Sequence, residues 1–209
     1  MREAKITVNV YKYEELCEKS KEHAKTEYLN TCRTAYEFSE ICEESLSELF
    51  PHSSLRVEYS LSSCQGDGLN IYGTLDLEDA LMRVMFDLTD EEQYILTKVL
   101  DKNHYTYRMQ QNKRYSYSIC DQHFYIEDLI PENEDDEAVL TEITKFDGES
   151  VMSALANFND VVRKNLVALC GKFERMGYDF FYAITDEDMR EICEANDWEF
   201  TADGELFYD

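Results

Sequence analysis

Positive charge is what this sequence has least of for its size. Twenty lysines and arginines stand against 45 aspartates and glutamates in 209 residues, a formal net charge of −25. No Lys/Arg cluster supplies a basic stripe. Direct binding of DNA or RNA is therefore set aside, and so is an anionic membrane surface, because each carries the same sign as the chain. A long apolar run and a signal peptide are also missing, which predicts a chain that neither crosses a membrane nor leaves the cell. The seven cysteines, Cys17, Cys32, Cys42, Cys64, Cys120, Cys170 and Cys193, include no C-x-x-C pair. An odd number suits a disulfide framework poorly, and free cysteine in an apolar setting behaves as a small hydrophobe. A reducing cytoplasm is the expected compartment.

Chemistry-bearing spacings are missing as well. The four histidines, His23, His52, His104 and His123, form no His-x-x-x-His pair, and no nucleophile elbow occurs. A hydrolytic or metal site drawn from His104 and His123 has no spacing to support it. No catalytic residue, no metal ligand and no cofactor is assigned from the sequence.

What is present describes a chain that folds: 44% of residues are hydrophobic and 13% aromatic, enough to bury a core without disulfide or metal staples. Alternation from Ile6 to Tyr13 predicts a strand. Helix formers from Glu14 to Phe50 predict one long or two consecutive helices, stopped by Pro51, with Leu16, Ala24, Tyr28, Cys32, Tyr36, Ile41, Leu46 and Leu49 as the apolar stripe. Leu55–Leu61 and Leu69–Leu75 alternate around Gly66-Asp67-Gly68 and predict a hairpin. Leu77–Leu100 reads as helix broken near Asp87, restarting at a capping box, Thr89 to Glu92. A Tyr-rich hairpin is expected between His104 and Ile126, then an exposed acidic connection near 127–149. Val151–Tyr182 is a long helix with Leu155, Phe158, Val162, Leu166, Leu169 and Phe173 on one face. A short helix capped by Thr185 follows, and two short strands close the chain around Ala202-Asp203-Gly204. The expected class is α+β, one domain over 1–209, mostly antiparallel sheet from hairpins packed against several helices.

Three features carry candidate sites. Gln65-Gly66-Asp67-Gly68 offers Gln65 and Asp67 as a recognition tip or a metal-facing carboxylate. The plainer reading is a tight turn held by its Asp, since the further carboxylates of a calcium loop and the Lys of a phosphate loop are absent. Tyr105, Tyr107, Tyr115, Tyr117 and Tyr125 have the rings to stack on bases, but the surrounding charge is wrong for it, and sheet packing or a protein-binding face fits better. The acidic stretches, with Glu132, Glu134, Asp135, Asp136 and Glu137 in one and Asp186, Glu187 and Asp188 in another, are either solvated surface or a face for a basic partner.

Three stretches resemble a family of proteins from tailed phages and prophages. They are Val10-Tyr11-Lys12-Tyr13-Glu14-Glu15-Leu16-Cys17-Glu18-Lys19-Ser20-Lys21-Glu22-His23-Ala24, then Ser62-Ser63-Cys64-Gln65-Gly66-Asp67-Gly68, and last Ala195-Asn196-Asp197-Trp198-Glu199-Phe200-Thr201-Ala202-Asp203-Gly204. The chain departs from that family at Gln110-Gln111-Asn112-Lys113-Arg114, where members often carry a His-Ser-Gly hairpin. The resemblance implies a phage setting in a bacterial host and, because members are often labelled antitoxin-like, a protein-binding role. With the charge, it leads to an expectation: an inhibitor of the anti-CRISPR or nucleic-acid-mimic kind. Its partner would be a host protein with a basic nucleic-acid-binding surface, such as a CRISPR effector or another nuclease. Three alternatives stay open: an antitoxin-like protein neutralising a basic toxin, a metal-dependent enzyme using the Gln-Gly-Asp-Gly loop, and a structural phage protein.

Overall fold

The computed structural model describes residues 8–62, 67–100, 106–109, 141 and 144–208. Among them are six α-helices and a three-stranded antiparallel sheet, an α+β fold. The helices are α1 (Glu18–Thr31), α2 (Ala35–Leu49), α3 (Leu77–Val84), α4 (Asp90–Leu100), α5 (Gly148–Tyr182) and α6 (Asp186–Ala195). The strands are β1 (Ser54–Ser60), β2 (Gly68–Asp76) and β3 (Thr106–Met109), in the order β1-β2-β3. The residues group into two compact units, 1–38 with 176–209 and 39–175. Each is described by itself below, and the single-domain expectation stands beside that grouping as an expectation.

The terminal unit is held by pairings between chain ends far apart in sequence. Tyr11 and Phe200 exchange backbone hydrogen bonds of 2.9 and 2.8 Å, and Phe200 forms a second bridge to Leu206. The strands expected at both ends are thus reduced to single bridges among the described residues, and Ile6 and Thr7 lie outside them. The core is Tyr13, Leu16, Ala24, Met189, Cys193 and Phe200, with Tyr28 and Trp198 packed against it. Helix α6 begins on a capping box: the Thr185 side chain accepts from the Asp188 backbone and the Asp188 carboxylate accepts from the Thr185 backbone. It ends as a Schellman turn, with Trp198 N donating to Cys193 O at 2.9 Å and Asp197 at φ 52° in the left-handed region. The turn Thr201–Gly204 then lies on α1. The Ser20 hydroxyl donates to Ala202 O at 2.7 Å, and a Cβ on Gly204 would stand 2.2 Å from Ser20 O. Only glycine fits there.

In the other unit, β1 and β2 pair from Ser54↔Thr74 to Ser60↔Gly68, the expected hairpin with a long loop; residues 63–66 lie outside the described set. Gly73 sits at φ 125° with Ser54 O 2.1 Å from where a Cβ would be, so the strands close tightly at that point. Strand β3 pairs with β2 from Asp76↔Thr106 to Gly73↔Met109; the rest of the expected Tyr-rich hairpin and most of the acidic connection lie outside the described residues. The break at Asp87 is present as a 3-10 turn, Met85–Asp87, and Thr89 caps α4 through Glu92. All six residues predicted for the apolar face of α5 are buried.

One stripe is corrected. Leu16, Ala24 and Leu46 are buried as expected, but Tyr36 is 72% exposed and Ile41 37%, and Cys32 is on the surface. The chain leaves the helix at Cys32–Thr34 and restarts at Ala35. That break shifts the phase, and Phe38, Cys42, Leu46 and Phe50 become the buried row.

Candidate functional site

The most constructed polar site lies where α2 hands over to β1. Asp76 caps α3, its carboxylate accepting from the backbones of Glu78 and Asp79. The cap aims Asp79, 5% exposed, at the turn Pro51–Ser53. Its Oδ2 accepts from His52 N at 2.9 Å and from the Ser53 hydroxyl at 2.6 Å, while Oδ1 accepts from His52 Nδ1 at 3.0 Å. Ser53 Oγ in turn accepts from Asp76 N at 2.9 Å. A buried carboxylate with that many donors is satisfied rather than stranded. The His52 ring itself is 68% exposed, and its hydrogen bond to the Asp79 carboxylate raises its pKa above the ordinary histidine value.

Beside the pair opens a cavity of about 680 Å³, walled by Leu49, Pro51, Leu81 and Met82, with His52, Arg83 and Thr97 also on its lining. That volume falls in the small-ligand and side-chain range. A histidine oriented through Nδ1 keeps Nε2 for a partner, so the arrangement can give or take one proton, or one hydrogen bond. It does not assemble a nucleophile, because the Ser53 hydroxyl donates to Asp79 rather than to the imidazole. No group of three His, Cys, Asp or Glu side chains among the described residues is placed to hold a metal ion.

The sequence assigns His52 no role. Nothing local marks it: its partner Asp79 is 27 positions away, and neither residue sits in a recognisable motif. The histidines weighed together from the sequence, His104 and His123, lie outside the described residues.

The residues proposed for partner binding divide as follows. Asp67 is half-buried, its Oδ1 accepting from the Ser60 and Ser62 hydroxyls at 3.0 and 3.2 Å, which is how a turn is held. Gln65, Glu132, Glu134, Asp135, Asp136 and Glu137 lie outside the described residues. Asp186, Glu187 and Asp188 form the first turn of α6, and each has a partner. Asp186 accepts from Lys25 and from the Tyr13 hydroxyl, both at 2.7 Å, and these bonds hold its pKa below the usual range, Lys25 first. Glu187 pairs with Arg190 at 3.1 Å, and Asp188 is the capping acid.

A different acidic face stands without partners. Helix α2 carries five glutamates and no lysine or arginine. Glu40, Glu44 and Glu48 are all exposed, and among the described residues none of them forms an ion pair. Four-residue steps place them about 6 Å apart along the axis. Like charges at that spacing cost an isolated helix a few tenths of a kcal/mol each, about 0.2–0.5. The sequence contained this signal, but the expected apolar stripe ran through the wrong phase of the helix and hid it.

Set against known proteins, the chain matches no family model, no curated protein and no solved structure.

Proposed function

We propose that the chain is a phage-encoded acidic inhibitor, working in the bacterial cytoplasm by occupying the basic nucleic-acid-binding surface of a host defence protein such as a CRISPR effector or another nuclease. The observation that carries this reading is the row Glu40, Glu44 and Glu48, exposed along one helix and without an ion pair among the described residues, in a chain of net charge −25. Retained repulsion of that kind is relieved when a basic surface is laid against it. A basic groove built for a polyanion accepts a row of fixed carboxylates over several contacts at once. Such pairing raises the rate of encounter more than the final affinity and weakens as salt screens it. Among the described residues no helix is long and apolar enough to cross a membrane, which is compatible with a partner met in solution.

The test is inhibition of DNA cleavage by a panel of purified CRISPR effectors and bacterial nucleases. Association is measured at about 0.1 M and about 1 M salt, between which the Debye length falls from about 10 to about 3 Å. The reading expects inhibition of at least one member, association weakened by salt, and loss of both on Glu40→Gln/Glu44→Gln/Glu48→Gln. A triple variant that inhibits as well as the parent chain overturns it.

A further inference from the structure

The acidic face explains attraction but supplies no anchor, and a second feature of the same unit does. Phe86, in the 3-10 turn after α3, is 91% exposed, and Met82, four residues earlier, is 69% exposed. Phe86 is the most exposed large hydrophobic residue among those described. Apolar residues scattered singly on a surface are ordinary. These two stand four positions apart in the chain. Met82 also walls the cavity of about 680 Å³, beside Leu49, Pro51 and Leu81, so the exposed pair adjoins the cavity through Met82.

The surroundings decide what fits. Glu78, Asp87, Asp90 and Glu91 are exposed in the stretch that holds Met82 and Phe86, where Arg83 is the one lysine or arginine; His52 also stands on the cavity lining with Glu78. Among the described residues none of the four carboxylates forms an ion pair with a lysine or arginine. Nucleic acid and anionic lipid are repelled by such a rim, and a second copy of a chain carrying −25 is repelled for the same reason. An uncharged apolar segment would leave the rim unpaired.

We propose that Met82, Phe86 and the adjoining cavity form the anchor of a docking face whose occupant is a cationic amphipathic segment of a protein partner. One apolar side chain of that segment enters the cavity, Phe86 and Met82 close over it, and flanking lysines or arginines meet Glu78, Asp87, Asp90 and Glu91. An apolar centre with a charged rim is the usual division of labour in such contacts. The inference rests on the basic-partner reading above and names where that partner is gripped.

The experiment uses the full chain and two synthetic helical peptides of equal positive charge. One has leucine and phenylalanine on its second face and the other has alanine there. Binding is followed by calorimetry and by the methyl signal of Met82. The amphipathic peptide is expected to bind about tenfold tighter than its alanine counterpart, and Phe86→Ser to remove about that tenfold, the worth of one interface anchor. Both replaced side chains are exposed, so circular dichroism of Phe86→Ser and Met82→Ala should match the parent. Equal binding of the two peptides, unchanged in Phe86→Ser, overturns the anchor while leaving the basic-partner reading standing. Failure of both peptides to bind overturns the two together. Sedimentation velocity showing self-association that Phe86→Ser abolishes overturns the proposed occupant in favour of a second copy.

Discussion

Replacing Gly204 by alanine puts a methyl group where the backbone of α1 already stands. The residue sits at φ +90°, and its added Cβ would lie 2.2 Å from Ser20 O and 2.9 Å from Ser20 C. The obstacle is main chain inside a helix, so it cannot swing aside as a side chain would. Two terms add. An L-residue at that φ costs about 1–2 kcal/mol. Separating α1 from the turn by the ångström or so that relieves the contact costs about 1–3 kcal/mol, as other overpacked sites do. That movement also stretches the Ser20 hydroxyl bond to Ala202 O, 2.7 Å long. A total of about 2–5 kcal/mol is a large share of the stability of an ordinary domain, about 5–15 kcal/mol. Trp198 is the single tryptophan and packs against the core of this unit, so its emission during urea unfolding reports there. With a slope of about 2 kcal/mol per molar urea, the midpoint should fall by about 1–2.5 M. Asp203→Ala, one residue earlier and exposed, is the control and should stay within about 0.5 kcal/mol of the parent. A midpoint for Gly204→Ala within about 0.3 M of the parent would refute the reasoning.

Asp79→Ala removes the acceptor for His52 N and the Ser53 hydroxyl at a site where Asp79 is 5% exposed. A loss of about 3 kcal/mol is expected in chemical denaturation, and a loss below about 1 kcal/mol would mean that water replaces the carboxylate at no penalty. The raised pKa of His52 fixes a sign: the protonated form is favoured by folding. Its contribution is fully present below the ordinary histidine value of about 6.5 and disappears as pH rises through the folded value. Denaturation midpoints should therefore fall across that window in the parent and stay flat in His52→Gln; equal slopes count against the pair. Alkylation at neutral pH, read by peptide mass spectrometry, should modify Cys17 well before Cys42 and Cys193. Cys17 is exposed, whereas burial pushes Cys42 up to about 12 and Cys193 to about 11. Modification of Cys42 at the Cys17 rate in the folded chain would contradict the burial.

Features decided within a turn or two of chain were legible in the sequence. The α5 stripe from Leu155 to Phe173, the capping box at Thr89, the N-cap Thr185 and the β1–β2 hairpin follow from periodicity, capping and turn residues, which act locally. The α2 stripe misled because Cys32-Arg33-Thr34 contains neither glycine nor proline. The break there is fixed by tertiary contacts, among them the Arg33 guanidinium over the Phe180 ring at 4.4 Å. The Tyr11–Phe200 pairing, the Lys25–Asp186 ion pair and the His52–Asp79 pair join distant positions, and no local pattern encodes them.

The same contrast bears on where function resides. Two of the three motif stretches quoted from the sequence, 10–24 and 195–204, meet in the terminal unit. Tyr11 pairs with Phe200, the Lys12 ammonium reaches Asp197 at 2.7 Å, and Ser20 lies under Ala202 and Gly204. In the third, Asp67 is bonded to the hydroxyls of Ser60 and Ser62. Residues bound to one another in this way answer to the fold, and replacing the buried ones, Phe200, Ser20 or Gly204, perturbs it before it alters recognition. Among the described residues, Glu40, Glu44 and Glu48 on α2 and the exposed Met82 and Phe86 have no such tie. Their charge and apolar area face solvent, so a substitution there is expected to leave the structure standing and to test the proposed recognition alone.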